Sequence, residues 1–159
     1  MEEILEILSK NARASVEEIA LMLDMSVEQV QETIRELEDD NVIVGYNTLI
    51  NWDKSNKDSV VALIEVKVSP QRGQGFDKVA ERIYRYPQVK ACYLMSGGFD
   101  LTVIIEGKTM KEVALFVAEK LAPLESVLST ATHFVLKKYK EEDVIFDENG
   151  KDDREALIL

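Results

Sequence analysis

The chain has 159 residues, 46% of them apolar and 31% charged, and a formal net charge of −11. That length suits one domain or two small ones with a buried core, and no apolar run approaches the roughly 20 residues that a bilayer span needs. The opening Met1-Glu2-Glu3-Ile4 lacks the basic segment of a signal peptide, so a cytoplasmic protein is expected.

The charge is unevenly spread: residues 1–52 carry −9, residues 53–140 carry +4 and residues 141–159 carry −6. Cys92 is the only cysteine, which excludes an internal disulfide. Its apolar neighbourhood, Val89 to Met95, marks it as a small core residue rather than a nucleophile.

Ile4, Leu5, Ile7 and Leu8 predict a first helix over residues 2–10. Asn11 to Ala14 interrupts it. Ser15-Val16-Glu17-Glu18 has the pattern of a capping box, in which hydroxyl and carboxylate satisfy the free N–H groups of a helix start. The second helix then buries Ile19, Ala20, Met22 and Leu23. After Asp24-Met25, Ser26-Val27-Glu28-Gln29 offers a second capping box, and Val27, Val30, Ile34 and Leu37 form the apolar stripe of a third helix. Helices joined by so short a turn cross steeply, as in a helix-turn-helix. Asn41 then turns the chain into the β-rich Val42 to Ile50, split by Gly45, and a short hairpin here would make the motif winged.

The third helix has two readings. As a recognition helix it would present Ser26, Glu28, Gln29, Gln31, Glu32, Thr33 and Arg35 to double-stranded DNA. Gln would pair with adenine, Glu would accept from cytosine N4, and Arg35 would contact guanine or phosphate. As part of a plain three-helix bundle for protein contacts, the same charges would be a solvated face. Against the first reading, Arg35 is the sole basic residue between Val16 and Asn51, whereas phosphate contacts need Lys and Arg.

Residues 53–58 read as a polar linker, with Trp52 packing at the domain junction. From Ser59 to Val68 the alternation puts Ala62, Ile64, Val66 and Val68 on one face of a strand. A loop over 69–75 leads to a helix marked by Phe76, Val79, Ala80 and Ile83, which Tyr86-Pro87 ends. A strand over 89–95, a turn over 96–100 and a strand with Leu101, Val103 and Ile105 follow. A second helix carries Met110, Val113, Ala114, Val117 and Leu121, and a last strand spans about 126–138.

The order β-α-β-β-α-β is that of a ferredoxin-like domain, with both helices on one face of an antiparallel sheet. The fold class is therefore α+β, a winged helix-turn-helix (1–52) joined by the linker to a ferredoxin-like domain (59–140). The other sheet face carries apolar residues, with Val61, Leu63, Ala131 and Val135 as candidates. A second subunit is the simplest cover for them, which predicts a face-to-face homodimer.

The acidic tail, 141–159, contains a turn signal at Asn149-Gly150, flanked by Val144-Ile145-Phe146 and Ala156-Leu157-Ile158-Leu159. It is read either as disordered or as a hairpin docked on a neighbouring subunit.

This combination resembles the Lrp/AsnC feast-or-famine regulators over residues 1 to about 140. The likeness rests on Ile43-Val44-Gly45-Tyr46 after the helix-turn-helix, on the Gly97-Gly98-Phe99-Asp100-Leu101 turn, and on the alternating Thr130 and Thr132 of the final strand. The resemblance implies an amino-acid-responsive DNA-binding regulator that dimerises through its sheets and assembles further, often to octamers. Its effector pocket would lie between dimers, near the glycine-rich turn.

Ser96, Gly97, Gly98 and Phe99 would then offer backbone N–H groups to a carboxylate. Asp100 would pair with an ammonium group, and Thr130 and Thr132, two apart on a strand, would supply hydroxyls. Alternatively Gly97-Gly98 is only a hairpin turn, Asp100 its cap, and the threonines ordinary strand residues. The chain departs from the family in having few basic residues on its third helix. DNA binding is therefore expected to be weak per dimer and raised by multivalency.

His133 is the only histidine and is read as packed or interfacial. A haem-precursor decarboxylase of the same layout would need further His and Arg residues. A metabolite-binding adaptor without DNA affinity is the other alternative. Neither zinc spacing nor a catalytic Ser/His/Asp set is present, so no catalytic residue, metal or cofactor is expected.

Overall fold

The computed structural model describes residues 1–69 and 75–146. The chain divides into two compact units, Met1–Ile50 and Asn51 onward. In the first, α1 (Glu2–Lys10) starts without a side-chain cap, whereas α2 (Val16–Leu23) and α3 (Val27–Asp39) begin where their capping boxes direct. Ser15 Oγ accepts from Glu18 N at 3.1 Å while Glu18 returns a carboxylate to Ser15 N at 2.8 Å. Asp24, at φ +52°, ends α2 in the left-handed region.

Ile4, Ile19, Ala20 and Val30 make the buried centre, with Ile7, Leu8, Leu23 and Ile34 packed around it. Two expected core residues stay outside. Met22 is off the Ile19–Leu23 stripe and exposed, and Val27, in the first turn of α3, is exposed as well. The expected hairpin over Val42–Ile50 does not form, since the segment has no strand. It is tied back to α3 by Tyr46, whose hydroxyl donates to Glu38 Oε1 at 2.8 Å.

In the second unit, β1 (Val60–Val68), α4 (Asp77–Tyr84), β2 (Val89–Leu94), β3 (Leu101–Gly107), α5 (Met110–Phe116) and β4 (Val127–Phe134) build a four-stranded antiparallel sheet in the order β2-β3-β1-β4. Before β1, Trp52–Lys54 form a 3-10 turn, and Lys57 Nζ sits 4.1 Å from the Trp52 ring centre. β1 alternates as its sequence demands: Ala62, Ile64, Val66 and Val68 are buried against α4 and α5 together with Leu101, Val103 and Ile105. Each such large apolar side chain removed from water contributes about 1.5–3 kcal/mol.

α5 runs on through a π-helical turn, Val117–Leu121, where the Ala122 amide reaches the Val117 carbonyl at 2.8 Å. The wider turn lets Val113, Phe116, Val117 and Leu121 all reach the core. Gly107 lies under α5, where a Cβ would stand 2.9 Å from Val113 Cγ2.

β4 is shorter than the run expected to Lys138. The chain then forms a small hairpin, β5 (Lys140–Glu141) and β6 (Val144–Ile145), turning through Glu142 and Asp143, both at positive φ. The turn signal at Asn149-Gly150, the apolar end at 156–159 and loop residues 70–74 lie outside the described residues. Among the described residues no helix is long and apolar enough to cross a membrane.

Candidate functional site

The exposed side of α3 is the first candidate surface. Ser26, at its N-cap, accepts from Gln29 N at 3.2 Å, and the Gln29 side-chain carbonyl accepts from Ser26 N at 2.9 Å. That second bond holds the Gln29 amide back against the helix start, away from the extended pose that a bidentate pair with adenine needs. Thr33 is half-buried and donates its hydroxyl to the Gln29 carbonyl at 2.9 Å.

Glu28 is exposed, and its carboxyl lies below the ordinary value because its own backbone N–H, and then the Ser26 hydroxyl, hydrogen-bond to it. It is a carboxylate at neutral pH. Glu32 and Arg35 form an exposed pair at 3.5 Å. Gln31 flanks these residues along a shallow groove of about 480 Å³, shared with Val16 and Glu38. Glu32 follows Glu28 by four residues, and Arg35 and Glu36 follow Glu32 by three and four, so Glu32 neighbours all three on the helix surface. Glu36 and Asp39 were missed by the sequence reading, although the same spacing reaches them. They make the surface more acidic still.

The second candidate surface lies at one end of the sheet. The Met95 amide donates to the Asp100 carbonyl at 2.8 Å, and the Asp100 amide donates to the Val66 carbonyl at 3.1 Å. Asp100 Oδ2 accepts the Val68 amide at 2.8 Å. The turn is thus stitched to β1 through Asp100, and one carboxylate oxygen already has a donor. Ser96, Gly97 and Gly98 are exposed, Phe99 is half-buried, and Gly97 adopts φ +130°, a conformation that side chains disfavour.

Thr130 and Thr132 stand opposite Val66 and Ile64. They share the helix-covered side of edge strand β4 and are half-buried. Val66 has Asp100 on one flank and Thr130 on the other, so two strand spacings, about 10 Å, separate the turn from the first threonine.

The opposite sheet face holds Val61, Leu63, Ile104 and Ala131, all but Ala131 half-buried, and Val135 follows β4. His133 Nε2 lies 3.4 Å from Glu65 Oε1 on this face. Cys92, opposite Val103, packs against the core, and burial pushes its thiol pKa up. That suits a packing role rather than a nucleophile. Among the described residues no group of three or more His, Cys, Asp or Glu could hold a metal.

The three-helix unit with its capped third helix, followed in the chain by a β-α-β-β-α-β unit, defines a helix-turn-helix regulator joined to a ligand-binding domain. A family model described as Lrp/AsnC ligand binding domain matches residues 61–145, and one described as winged helix-turn-helix DNA-binding matches residues 2–44. The chain belongs to the Lrp/AsnC family.

It is 50% identical over 157 residues to an uncharacterised helix-turn-helix transcriptional regulator, YugG, of Bacillus subtilis, covering 98% of this chain and 94% of that one. It is 31% identical to the regulator LrpA of Pyrococcus horikoshii, covering 86% and 94%. Among solved structures, a regulator from Neisseria meningitidis in complex with L-Met superposes with TM-score 0.72 at 23% identity, covering 87% and 89%. AsnC of E. coli superposes with TM-score 0.68 at 17% identity, covering 87% and 91%. The protein is a DNA-binding transcription regulator and not an enzyme. The decarboxylase-like alternative and the adaptor without DNA binding give way to this.

Proposed function

We propose that the regulator engages DNA as a homo-oligomer, and that an amino acid or related metabolite controls it from the Ser96–Asp100 end of the sheet. The observation that carries this reading is the contrast between a DNA-binding unit of −9 and a sheet face of Val61, Leu63, Ile104 and Ala131 that the helices leave uncovered among the described residues. One acidic helix-turn-helix attracts phosphate poorly. Several on one assembly raise the effective concentration of each for neighbouring DNA sites. Face-to-face packing of two sheets buries the apolar face, and further contacts between dimers would extend the assembly toward an octamer.

Gly97 and Gly98 supply exposed backbone donors for a carboxylate. The free oxygen of Asp100 accepts an ammonium group, and Thr130 and Thr132 add hydroxyls. The L-Met bound to the Neisseria relative supports an amino acid as the effector class. On this reading the protein acts in the cytoplasm. Residues 1–52 form the DNA-binding domain, with Asn51 and Trp52 already part of the second compact unit, 53–58 the linker, 59–140 the sensing domain and 141–159 the tail.

Light scattering paired with thermal-shift screening of the amino acids tests the proposal. A selective shift with a change in mass is the expected result, and a flat screen rejects the effector. Leu63→Asp should yield monomers and abolish the mobility shift of the protein's own promoter at low salt. A monomer that shifts DNA as well as the parent rejects dependence on assembly.

A further inference from the structure

We infer that α3 selects its operator through cytosine amino groups: the Glu32–Arg35 pair reads one C·G base pair as a unit, and Glu28 reads a second cytosine about two base pairs away. The inference rests on α3 being the recognition helix and adds what that helix recognises.

The chemistry follows from which groups α3 leaves available. The Gln29 carbonyl is turned back onto the Ser26 amide in the capping box, and the Thr33 hydroxyl proton is committed to the helix backbone. The charged groups that α3 exposes along this surface include Glu28, Glu32, Glu36 and the guanidinium of Arg35, with the Gln31 amide flanking them. Glu28 and Glu32 lie nearest the helix N-terminus, where such a helix meets base edges. Glu28 is held ionised, so it can only accept hydrogen bonds.

In the major groove, guanine presents the acceptors N7 and O6, and thymine presents the acceptor O4. Adenine presents a donor beside the acceptor N7, whereas cytosine presents only the N4 donor. A carboxylate is therefore repelled by guanine and thymine, half-opposed at adenine and accepted at cytosine. Backbone phosphates penalise both carboxylates at every sequence, so without the N4 bond these residues only weaken binding.

Arg35 and Glu32 stand 3.5 Å apart, both exposed. Across one C·G pair, cytosine N4 neighbours guanine O6. The guanidinium can take O6 and N7 while the carboxylate takes N4, and the ion pair need not break to do so. Glu28 precedes Glu32 by four residues, about 6 Å along the helix axis. At about 3.4 Å per base pair this reaches roughly two steps along the duplex.

The test is selection from a random duplex library at low salt with the full-length protein, followed by titration of defined duplexes. Selected sequences should carry two cytosines about two base pairs apart. Changing either C·G to T·A should weaken wild-type binding by roughly tenfold or more. Glu28→Gln should tighten binding to unselected duplex yet bring the C-over-T preference to within about twofold at its own position only. Glu32→Gln should do the same at the other position.

Both variants change exposed side chains, and unaltered melting curves would show that the fold is kept. A uniform gain in affinity with every base preference retained would make the carboxylates bulk charge and overturn the inference. So would a selected operator without the paired cytosines. Failure of the wild-type protein to enrich any sequence would remove α3 as a reader of bases altogether.

Discussion

The two units reach their folds by different routes. Met1–Ile50 is organised by contacts three or four residues apart, and its buried centre is only Ile4, Ile19, Ala20 and Val30. The unit from Asn51 onward is organised by strands distant in sequence, with β1 held between β3 and β4. Short-range order is cheap in chain entropy but buries little, whereas the sheet must close long loops before its larger core forms. The smaller unit should open more readily, which suits the part that must adapt to DNA.

Matched core truncations would break or sharpen this comparison most. Ile64→Ala should cost about 2–5 kcal/mol and shift the urea unfolding curve followed by Trp52 fluorescence, a probe in the second unit. Ile19→Ala, with the same chemistry in the smaller core, should release helical circular dichroism at lower urea while the Trp52 transition stays in place. Coincident loss of both signals would mean one cooperative block.

Asp100→Ala removes a charge-assisted bond to the Val68 amide and should cost about 1.5–3 kcal/mol, again read by Trp52. Ser26→Ala removes the α3 cap and should cost about 1 kcal/mol, seen in the helical signal alone. The smallest effect concerns Glu106. Lys57, hydrogen-bonded at 3.0 Å, and then Ser59 hold its carboxyl below the ordinary 4.5 against the opposing pull of burial. A depressed folded value stabilises above the unfolded pKa and is lost as pH falls through the folded one. Glu106→Gln should therefore flatten the decline in stability below pH 4.5, measured by urea midpoints across that range.

The same contrast explains what the sequence could disclose. Both capping boxes were legible because each is complete within four residues, and the strand alternation was legible because one buried face enforces a period of two. The conflict at Gln29 was also written there, since a side chain that folds back to cap its own helix is drawn away from a base. The bond between Asp100 and Val68 spans a register that local pattern does not encode. The π-helical turn likewise depends on how Phe116, Val117 and Leu121 settle on the sheet. Val42–Ile50 forms no strand here because a β-rich composition does not by itself supply a pairing partner. Thr130 and Thr132 were seen to share a face, but which face is fixed only by their pairing with Val66 and Ile64.

The register breaks between Val89 and Ala91, in β2, and between Lys67 and Val68, where β1 meets β4, leave the sheet with irregular borders. Lys90 lies within the first of them, on an outer strand. Irregularity and a lysine both discourage a passing strand from continuing the ladder. On the proposed reading, a molecule that gathers several copies on one stretch of DNA reaches high local concentration. Blunted borders let such crowding proceed without runaway fibre growth.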